Sequence, residues 1–268
     1  MKIFVFGANG MLGTYVTHYL SKYYEIVPLT RKDYDLANVN FNSLYTFLLS
    51  KDIEKNDIII NCAGIIPQTG NSNKKSFYIV NTVFPLLLNN ICNIYKVKNI
   101  HVTTDCVFSG KHGWYDELSE ADEVSDYGVS KHLGEKSNAT IIRTSIIGEE
   151  LNNKRSLLEW VRSNKNSVIN GYVNHYWNGV TCLQLAKIIH EMISENKYWN
   201  GVRHIFSPDY VSKYDLVSMI NKIYDLNIII NKFVTEETID KTLCSVYNLE
   251  FNIPSLKQQI EEMCQYTL

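Results

Sequence analysis

The chain has 268 residues, of which 45% are hydrophobic and 20% charged, a composition typical of a folded globular protein and not of a disordered one. This length allows one large domain or roughly one and a half ordinary ones. A general binder of nucleic acid or of an anionic membrane is expected to carry a basic excess, so the formal net charge of −2 favours neither partner.

Two further features restrict the class of protein. No apolar run approaches the roughly 18–20 residues that a membrane helix needs, and the apolar run at residues 3–6 is too short for a signal peptide. The six cysteines are scattered without a C-x-x-C pair, which favours neither a disulfide framework nor a zinc site. The sequence therefore predicts a cytoplasmic protein without a bound metal.

In chain order, short apolar runs alternate with segments of helical spacing over the first 145 residues. Such alternation predicts right-handed βαβ units, and hence a doubly wound parallel sheet of Rossmann-like α/β class covered on both faces. The predicted strands are residues 3–6, 25–29, 58–61, 99–103 and 141–143, although Pro28 weakens the second one. The predicted helices between them are residues 14–23, 41–49, 76–95 and 125–136.

The rest of the chain is less regular, with predicted helices at residues 157–163, 182–195, 214–224 and 256–264. We therefore expect two parts. Residues 1–148 are predicted to form a nucleotide-binding domain, and residues 149–268 a smaller α/β substrate-binding part.

Three glycines separate the first predicted strand from the first predicted helix. Gly7 permits a tight turn, Gly10 lets the backbone approach a pyrophosphate, and Gly13 allows the helix to pack closely on the strand. The helix N-terminus then faces the phosphates with its partial positive charge. The position of this pattern at the start of a βαβ unit favours dinucleotide binding over a plain connection.

The second predicted strand indicates which dinucleotide binds. An acidic residue at its end would bond the ribose hydroxyls of NAD, but here Arg31 and Lys32 follow the strand. Two adjacent cations suit the 2′-phosphate of NADP(H). NAD(H) stays open as the less favoured cofactor because Asp33 and Asp35 are close by.

Tyr127 and Lys131 are four residues apart on a predicted helix and therefore share one face. A neighbouring ammonium is expected to lower the pKa of the phenol, which could then exchange a proton with a carbonyl group. A hydroxyl at the end of the preceding strand, at Thr103 or Thr104, could bond the same carbonyl oxygen.

These motifs together resemble the extended short-chain dehydrogenase/reductase superfamily. Within it, the chain is most similar to dTDP-4-dehydrorhamnose reductases and to related reductases, some of them also epimerases, of UDP-linked 4-keto-6-deoxyhexoses. The resemblance spans nearly the whole chain. The segments that carry it are residues 7–13, 61–64, 80–81, 103–110, 127–135 and 142–145.

The resemblance implies roles for individual residues. Thr104, Tyr127 and Lys131 would form the catalytic set, with Thr103 as the competitor for the hydroxyl. The cofactor would contact Tyr127 and Lys131. It would also contact Gly7, Asn9, Gly10, Met11, Leu12, Gly13, Arg31, Asn61, Ala63 and Gly64. The sugar pocket would be bordered by Asp105, Cys106, Val107, Phe108, Arg143, Thr144, Ser145, His175 and Trp177.

Cys106 departs from the family pattern, because reductases of this type usually carry tyrosine at that position. Relatives that combine 3,5-epimerisation with 4-reduction have a similar cysteine. A thiol could exchange protons beside a ketone if the site lowered its pKa from about 8.5, with His175 acting from the other face. The alternative is that Cys106 is a buried, inert thiol and His175 a surface or core residue.

The resemblance implies an NADPH-dependent 4-ketoreductase of a UDP- or dTDP-linked 4-keto-6-deoxyhexose. Its product would belong to deoxysugar biosynthesis, as UDP-rhamnose or an acetamido-deoxyhexose, and 3- or 3,5-epimerase activity through Cys106 is an addition that stays open. The alternative is a non-catalytic regulatory subunit. The regulatory subunit of methionine adenosyltransferase resembles these reductases but acts as a binding partner. The oligomeric state also stays open, with a homodimer among the options.

Overall fold

A six-stranded sheet lies at the centre of the computed structural model, which describes residues 1–67, 73–152, 154–248 and 251–268. All five strand pairs in this sheet are parallel, and the strand order is β10-β5-β4-β3-β1-β2. The strands are β1 (Lys2–Phe6), β2 (Glu25–Leu29), β3 (Ile58–Asn61), β4 (Lys98–Thr104), β5 (Thr140–Thr144) and β10 (Gly201–His204). The Rossmann-like fold class predicted from the sequence is confirmed.

The strands of the sheet form where the sequence is apolar without interruption. All four residues of β3 and all five of β5 are buried, as expected of strands covered on both faces. Pro28 is accommodated because β2 is the edge strand, where its missing N–H faces no further strand.

Helices cover both faces of the sheet because successive strand side chains point in opposite directions. Ile3 and Val5 belong to one core cluster, and Phe4 and Phe6 to the other. The helices are α1 (Met11–Leu20), α2 (Phe41–Leu49), α3 (Lys74–Tyr78), α4 (Phe84–Tyr95), α5 (Asp126–Gly134), α6 (Leu157–Ser163), α7 (Cys182–Ser194), α8 (Lys213–Ile223) and α9 (Leu256–Gln265).

The helix predicted at residues 76–95 is interrupted by a π-helical turn at Ile79–Val83, between α3 and α4. Asn81 lies in this turn and is buried. Its side-chain oxygen accepts a hydrogen bond from the Ile65 amide at 2.9 Å, and its amide nitrogen donates to the Ser130 hydroxyl at 3.2 Å. The turn thereby joins the loop after β3 to α5, which is consistent with the frequent occurrence of π-turns at functional sites.

The same helical segment, Lys74–Tyr95, is long and apolar enough to cross a membrane by length and composition, which the sequence analysis did not anticipate. Half of its most apolar window is buried inside the protein. Phe84, Leu88 and Ile91 pack in the core cluster that also contains Phe4. Packing of this helix against the sheet therefore accounts for its apolar character.

Residues after 148 contribute to both parts of the molecule. They form a parallel pair, β7 (Val168–Tyr172) with β12 (Ile229–Phe233), and a second small sheet of β8 (His175–Trp177), β11 (Val211–Ser212) and β13 (Ile239–Asp240). A further parallel pair consists of β6 (Ile146–Ile147) and β9 (Val180–Thr181). However, β10 returns to the central sheet beside β5, and α7 packs against α1. The chain thus crosses the boundary expected at 148 more than once.

Candidate functional site

The carboxyl ends of the central strands bring together residues that are far apart in the sequence. Gly7 follows β1, Asn61 ends β3 and Thr104 ends β4, opposite Thr144 at the end of β5. In open α/β sheets, ligands bind outside this edge, at the point where the strand order reverses.

The glycines after β1 are required by close packing. Gly7 has a φ of +76°, and a Cβ at this residue would lie 2.8 Å from the backbone of Ala63. A Cβ on Gly13 would lie 2.0 Å from the carbonyl oxygen of Gly7. A Cβ on Gly10 would meet only that same oxygen, at 3.2 Å, and the remaining space around it is open. The backbone can therefore be approached closely at Gly10, as a pyrophosphate requires.

A cavity of about 600 Å³ opens beside these glycines. Arg31 borders it with an exposed guanidinium that pairs with Asp35 at 3.3 Å. The carboxylate of Asp33 instead accepts hydrogen bonds from the amide and hydroxyl of Thr30, both at 2.8 Å, which lower its pKa. The other lining residues include Gly7, Gly10, Tyr34, Ala37, Cys62, Ala63, Gly64, Ser76 and Val80.

Several residues predicted to contact the cofactor have other surroundings. Leu12 is buried in the core, and Met11 packs against it. Asn9 is exposed and its carbonyl oxygen accepts from Asn152. Asn61 is fully buried, with its amide nitrogen 3.0 Å from a ring nitrogen of His101 and its oxygen bonded to the Ala63 amide. The side chains of Leu12 and Asn61 therefore shape the turn and do not line the cavity.

Thr104 is the threonine that lies beside Tyr127, whereas Thr103 acts on Glu135 at the end of α5. Successive side chains of a strand alternate between faces, and the Thr104 hydroxyl bonds the phenol of Tyr127. It also donates to the Asp105 carboxylate and accepts from the Cys106 amide, both at 3.1 Å. Of the two hydroxyls that the sequence left open, that of Thr104 is therefore the better placed to act with Tyr127.

The pKa of Tyr127 differs from the expectation. Burial raises it, and the nearby Cys106 raises it further, whereas the hydrogen bond between Tyr127 and Thr104 acts in the opposite direction. The predicted lowering by Lys131 is therefore corrected. A raised pKa keeps Tyr127 in its protonated form, the form that can donate a proton.

Lys131 is buried on the same helix, α5. A Cβ on Gly64 would lie 2.7 Å from its ammonium nitrogen, so the lysine reaches the edge of the glycine-lined cavity. Burial lowers the pKa of Lys131 to about 8, and the carboxylate of Glu135 counteracts this change. The ammonium therefore stays largely protonated at neutral pH.

Cys106 does not have the environment of a reactive thiolate. Burial and the charge of Asp105 raise its pKa to about 12, and its Sγ lies 3.6 Å from the Asp105 carboxylate. His175 bonds the hydroxyl of Thr235 at 2.8 Å, and burial and the charge of Lys213 lower its pKa. The condition for thiol acid–base chemistry, a lowered pKa at Cys106, is not met.

Three residues expected at the sugar pocket have side chains that lie in the interior. Val107 and Phe108 are fully buried, and the Phe108 ring stacks on Tyr115 at 4.2 Å. The guanidinium of Arg143 lies 5.0 Å from the centre of the Phe108 ring and forms an ion pair with Glu135. Their side chains are occupied by core packing, so they are not free to bind a ligand.

Thr144 is buried, whereas Ser145 bonds the carboxylate of Asp105. Trp177 is also buried, and the ammonium of Lys213 lies 5.2 Å from the centre of its ring. Of the expected substrate residues, Asp105, Cys106 and Ser145 therefore adjoin Thr104, and Trp177 acts as a platform beneath a lysine.

A buried polar network, which the sequence analysis did not predict, joins α5 to the end of β10. Two nitrogens of Arg143 donate to the Glu135 carboxylate at 3.1 and 2.6 Å, and a third lies 3.0 Å from Nε2 of His204. His204 Nδ1 donates to the Cys244 carbonyl at 2.8 Å. Burial alone would raise the pKa of Glu135, but His132 and Arg143 lower it to about 2. Glu135 follows Lys131 by four residues, which was the available sequence signal.

A parallel sheet with a glycine cradle and polar side chains at its carboxyl edge defines a protein of the Rossmann-like α/β class. The family model described as RmlD substrate binding domain matches residues 1–238. The chain therefore belongs to that family, and the predicted resemblance to dTDP-4-dehydrorhamnose reductases is confirmed.

Two curated relatives illustrate what the chain is similar to. The chain is 31% identical over 163 residues to "Probable low-salt glycan biosynthesis reductase Agl14" of Haloferax volcanii, covering 55% of this chain and 54% of that protein. It is 27% identical over 157 residues to a dTDP-4-dehydrorhamnose reductase of Mycobacterium tuberculosis, covering 54% and 49%. These alignments span about half the length of the curated relatives.

A crystal structure of dTDP-4-dehydrorhamnose reductase from Bacillus anthracis in complex with NADP matches with a TM-score of 0.81. The identity is 21%, and the match covers 98% of each chain. At this identity the likeness concerns the fold.

We predict that Glu135→Gln destabilises the protein. Loss of the carboxylate charge leaves the Arg143 guanidinium buried without its counter-ion, which costs ~3–5 kcal/mol. Urea unfolding at pH 7 measures this loss in the free energy of unfolding. Glu261→Gln is the matched control because its pair with Lys257 is exposed, and it should change stability by less than ~1 kcal/mol.

The effect of Glu135→Gln depends on pH. The pKa of Glu135 is about 2 in the folded protein and ~4.3 in an unfolded chain. Its stabilisation is therefore complete above the unfolded value and is lost as the pH falls towards 2. The difference between wild type and variant should shrink over this range. A difference that stays constant from pH 7 to pH 3 would show that the pKa of Glu135 is the same in the folded and unfolded protein, and would contradict its lowering by Arg143 and His132.

Proposed function

We propose that this chain is an NADPH-dependent reductase of a nucleotide-linked 4-keto-6-deoxyhexose. The observation that carries the proposal is the juxtaposition of a glycine-lined cavity with Thr104, Tyr127 and Lys131 at one edge of the sheet. Membership of the RmlD substrate binding domain family and the names of its relatives support the substrate class.

The residues around the cavity fit an NADP cofactor. Gly10 leaves the backbone open to a pyrophosphate, and Arg31 places an exposed guanidinium on the cavity wall for a 2′-phosphate. Asp33, which could bond a ribose in the NAD manner, is occupied by Thr30. Lys131, beside Gly64, would bind the nicotinamide ribose. When bound, the reduced cofactor supplies a hydride.

The chain's own residues handle the proton. Tyr127 holds a proton at its phenolic oxygen and donates it to the carbonyl oxygen of the sugar during reduction. The Thr104 hydroxyl bonds the same oxygen and orients it. The ammonium of Lys131 stabilises the negative charge that develops on Tyr127 after proton transfer.

The wider setting follows from the same proposal. The substrate would carry UDP or dTDP, and the product would enter deoxysugar biosynthesis of the rhamnose or acetamido-deoxyhexose type. We also propose a cytoplasmic location, where NADPH and nucleotide sugars are available.

The first test is Tyr127→Phe, which removes the proton donor and leaves the ring in place. General acid catalysis contributes typically ~10²–10⁴-fold, so kcat should fall by that factor. NADPH oxidation in the presence of UDP- or dTDP-4-keto-6-deoxyglucose measures the rate, and fluorescence titration of NADPH checks that the cofactor still binds.

Tyr45→Phe is the matched control, because Tyr45 lies in α2 and stacks on Tyr95 away from the site. Undiminished turnover by Tyr127→Phe would contradict the assignment of the proton donor. NADPH binding by the wild type without oxidation on either ketosugar would favour the regulatory-subunit alternative.

The second test concerns the cofactor. Arg31→Ala should weaken NADPH binding about tenfold or more, the value of a hydrogen bond between charged groups, and leave NADH binding unchanged. Lys257→Ala is the matched control, because Lys257 is also an exposed cation in an i,i+4 ion pair but lies outside the cavity lining. An equal effect of Arg31→Ala on NADPH and NADH would exclude recognition of the 2′-phosphate by this residue.

Epimerisation through Cys106 is not part of the proposed reaction, because the raised pKa of Cys106 disfavours a thiolate. We expect no Cys106-dependent incorporation of deuterium at C3 or C5 of the ketosugar in D₂O, measured by mass spectrometry with wild type and Cys106→Ala. Label that appears with the wild type and disappears with the variant would add epimerase activity to the function.

A further inference from the structure

Lys213 is a half-buried lysine that the proposed reaction does not use. It is the first residue of α8, and its ammonium lies 5.2 Å from the centre of the buried Trp177 ring. Its charge interacts with those of Asp105 and Cys106, the residues that follow Thr104. Lys213 therefore extends from the C-terminal part of the chain towards the catalytic edge of the sheet.

The charge of Lys213 is only partly compensated. Within the described ranges, no carboxylate oxygen lies within 4.0 Å of its ammonium. Asp105 is the acidic residue that acts most strongly on the pKa of Lys213. Its carboxylate, however, is already bonded by Thr104 and Ser145. Burial and the neighbouring Lys241 lower the pKa of Lys213. A desolvated cation without an ion-pair partner is a suitable binding group for an anion.

Lys213 also lines a cavity of about 390 Å³ in the C-terminal part. Small-molecule sites typically have volumes of ~300–1,000 Å³. The walls are mainly apolar and aromatic, with Trp160, Tyr172 and His175 among them. Flat aromatic side chains suit stacking on a nucleic-acid base.

Lys213 thus adjoins an aromatic cavity and also acts by its charge on Asp105 and Cys106, which follow Thr104. In a nucleotide sugar, the diphosphate joins an aromatic base to the sugar. We propose that Lys213 binds the diphosphate of the substrate and thereby determines specificity for nucleoside diphosphate sugars over free sugars. This inference rests on the proposed function, since it takes the sugar end to lie at Thr104.

Lys241 has a different environment, which is why Lys213 carries the inference. Its ammonium lies 3.8 Å from the Glu123 carboxylate, and its stem packs against Gly110. It adds positive potential around Asp105 without offering an unpaired charge.

The test is calorimetric titration of the full chain with UDP, dTDP, uridine and thymidine, in the presence of NADP⁺. The wild type should bind the diphosphates at least tenfold more tightly than the nucleosides. Lys213→Gln should lose that tenfold preference with unchanged affinity for NADPH, and Lys213→Arg should retain it because the charge is kept. In turnover, Lys213→Gln should raise KM for the ketosugar more than it lowers kcat.

Lys232→Gln is the matched control, because this lysine also lies over an aromatic ring, 5.3 Å from the centre of Tyr214, but is exposed and outside the cavity lining. Equal affinity of wild type and Lys213→Gln for both diphosphates would overturn the inference. Diphosphate binding that depends on Lys213, without NADPH oxidation on a ketosugar, would support the inference while contradicting the proposed reaction. A wild type that binds neither diphosphate would overturn both.

Discussion

The buried ion pair of Glu135 and Arg143 is the interaction on which the catalytic edge depends. Glu135 immediately follows α5, which carries Tyr127 and Lys131, and Arg143 is in β5 of the central sheet. Through His204 the same network reaches the backbone of Cys244. Two desolvated charges are stable here because they pair with each other and because Arg143 also bonds His204. The network consequently fixes the positions of α5, of β10 and of the segment near residue 244 relative to one another.

The same burial sets the protonation states at the site. Desolvation raises the pKa of the Tyr127 phenol and of the Cys106 thiol, and lowers that of the Lys131 ammonium. Glu135 opposes the change at Lys131, so one carboxylate both anchors the helix and helps to keep the lysine charged. These directions favour a neutral phenol beside a cation, an arrangement suited to giving a proton to an oxygen.

Elements with strong local patterns could be predicted from the sequence. The five strands expected in residues 1–148 and the helix in the segment at 41–49 follow directly from apolar runs and helical spacing. Side-chain roles set by distant partners could not be predicted in this way. Arg143 stands at a strand end, as a ligand-binding residue would, yet Glu135 and His204 enclose it. Phe108 follows Thr104 closely in the sequence, but its ring stacks on Tyr115.

The division of the chain into a nucleotide-binding part and a substrate-binding part has a related limit. Because β10 and α7 return to the central sheet, one continuous core contains both Ile3 of β1 and Ile260 of α9. A residue of the C-terminal part can then be held at a fixed position relative to the strand ends, as Lys213 is held by the buried Trp177. Side chains in a close-packed interior have little freedom to shift. The geometry between the two halves of the site is therefore determined by the shared core and not by a linker.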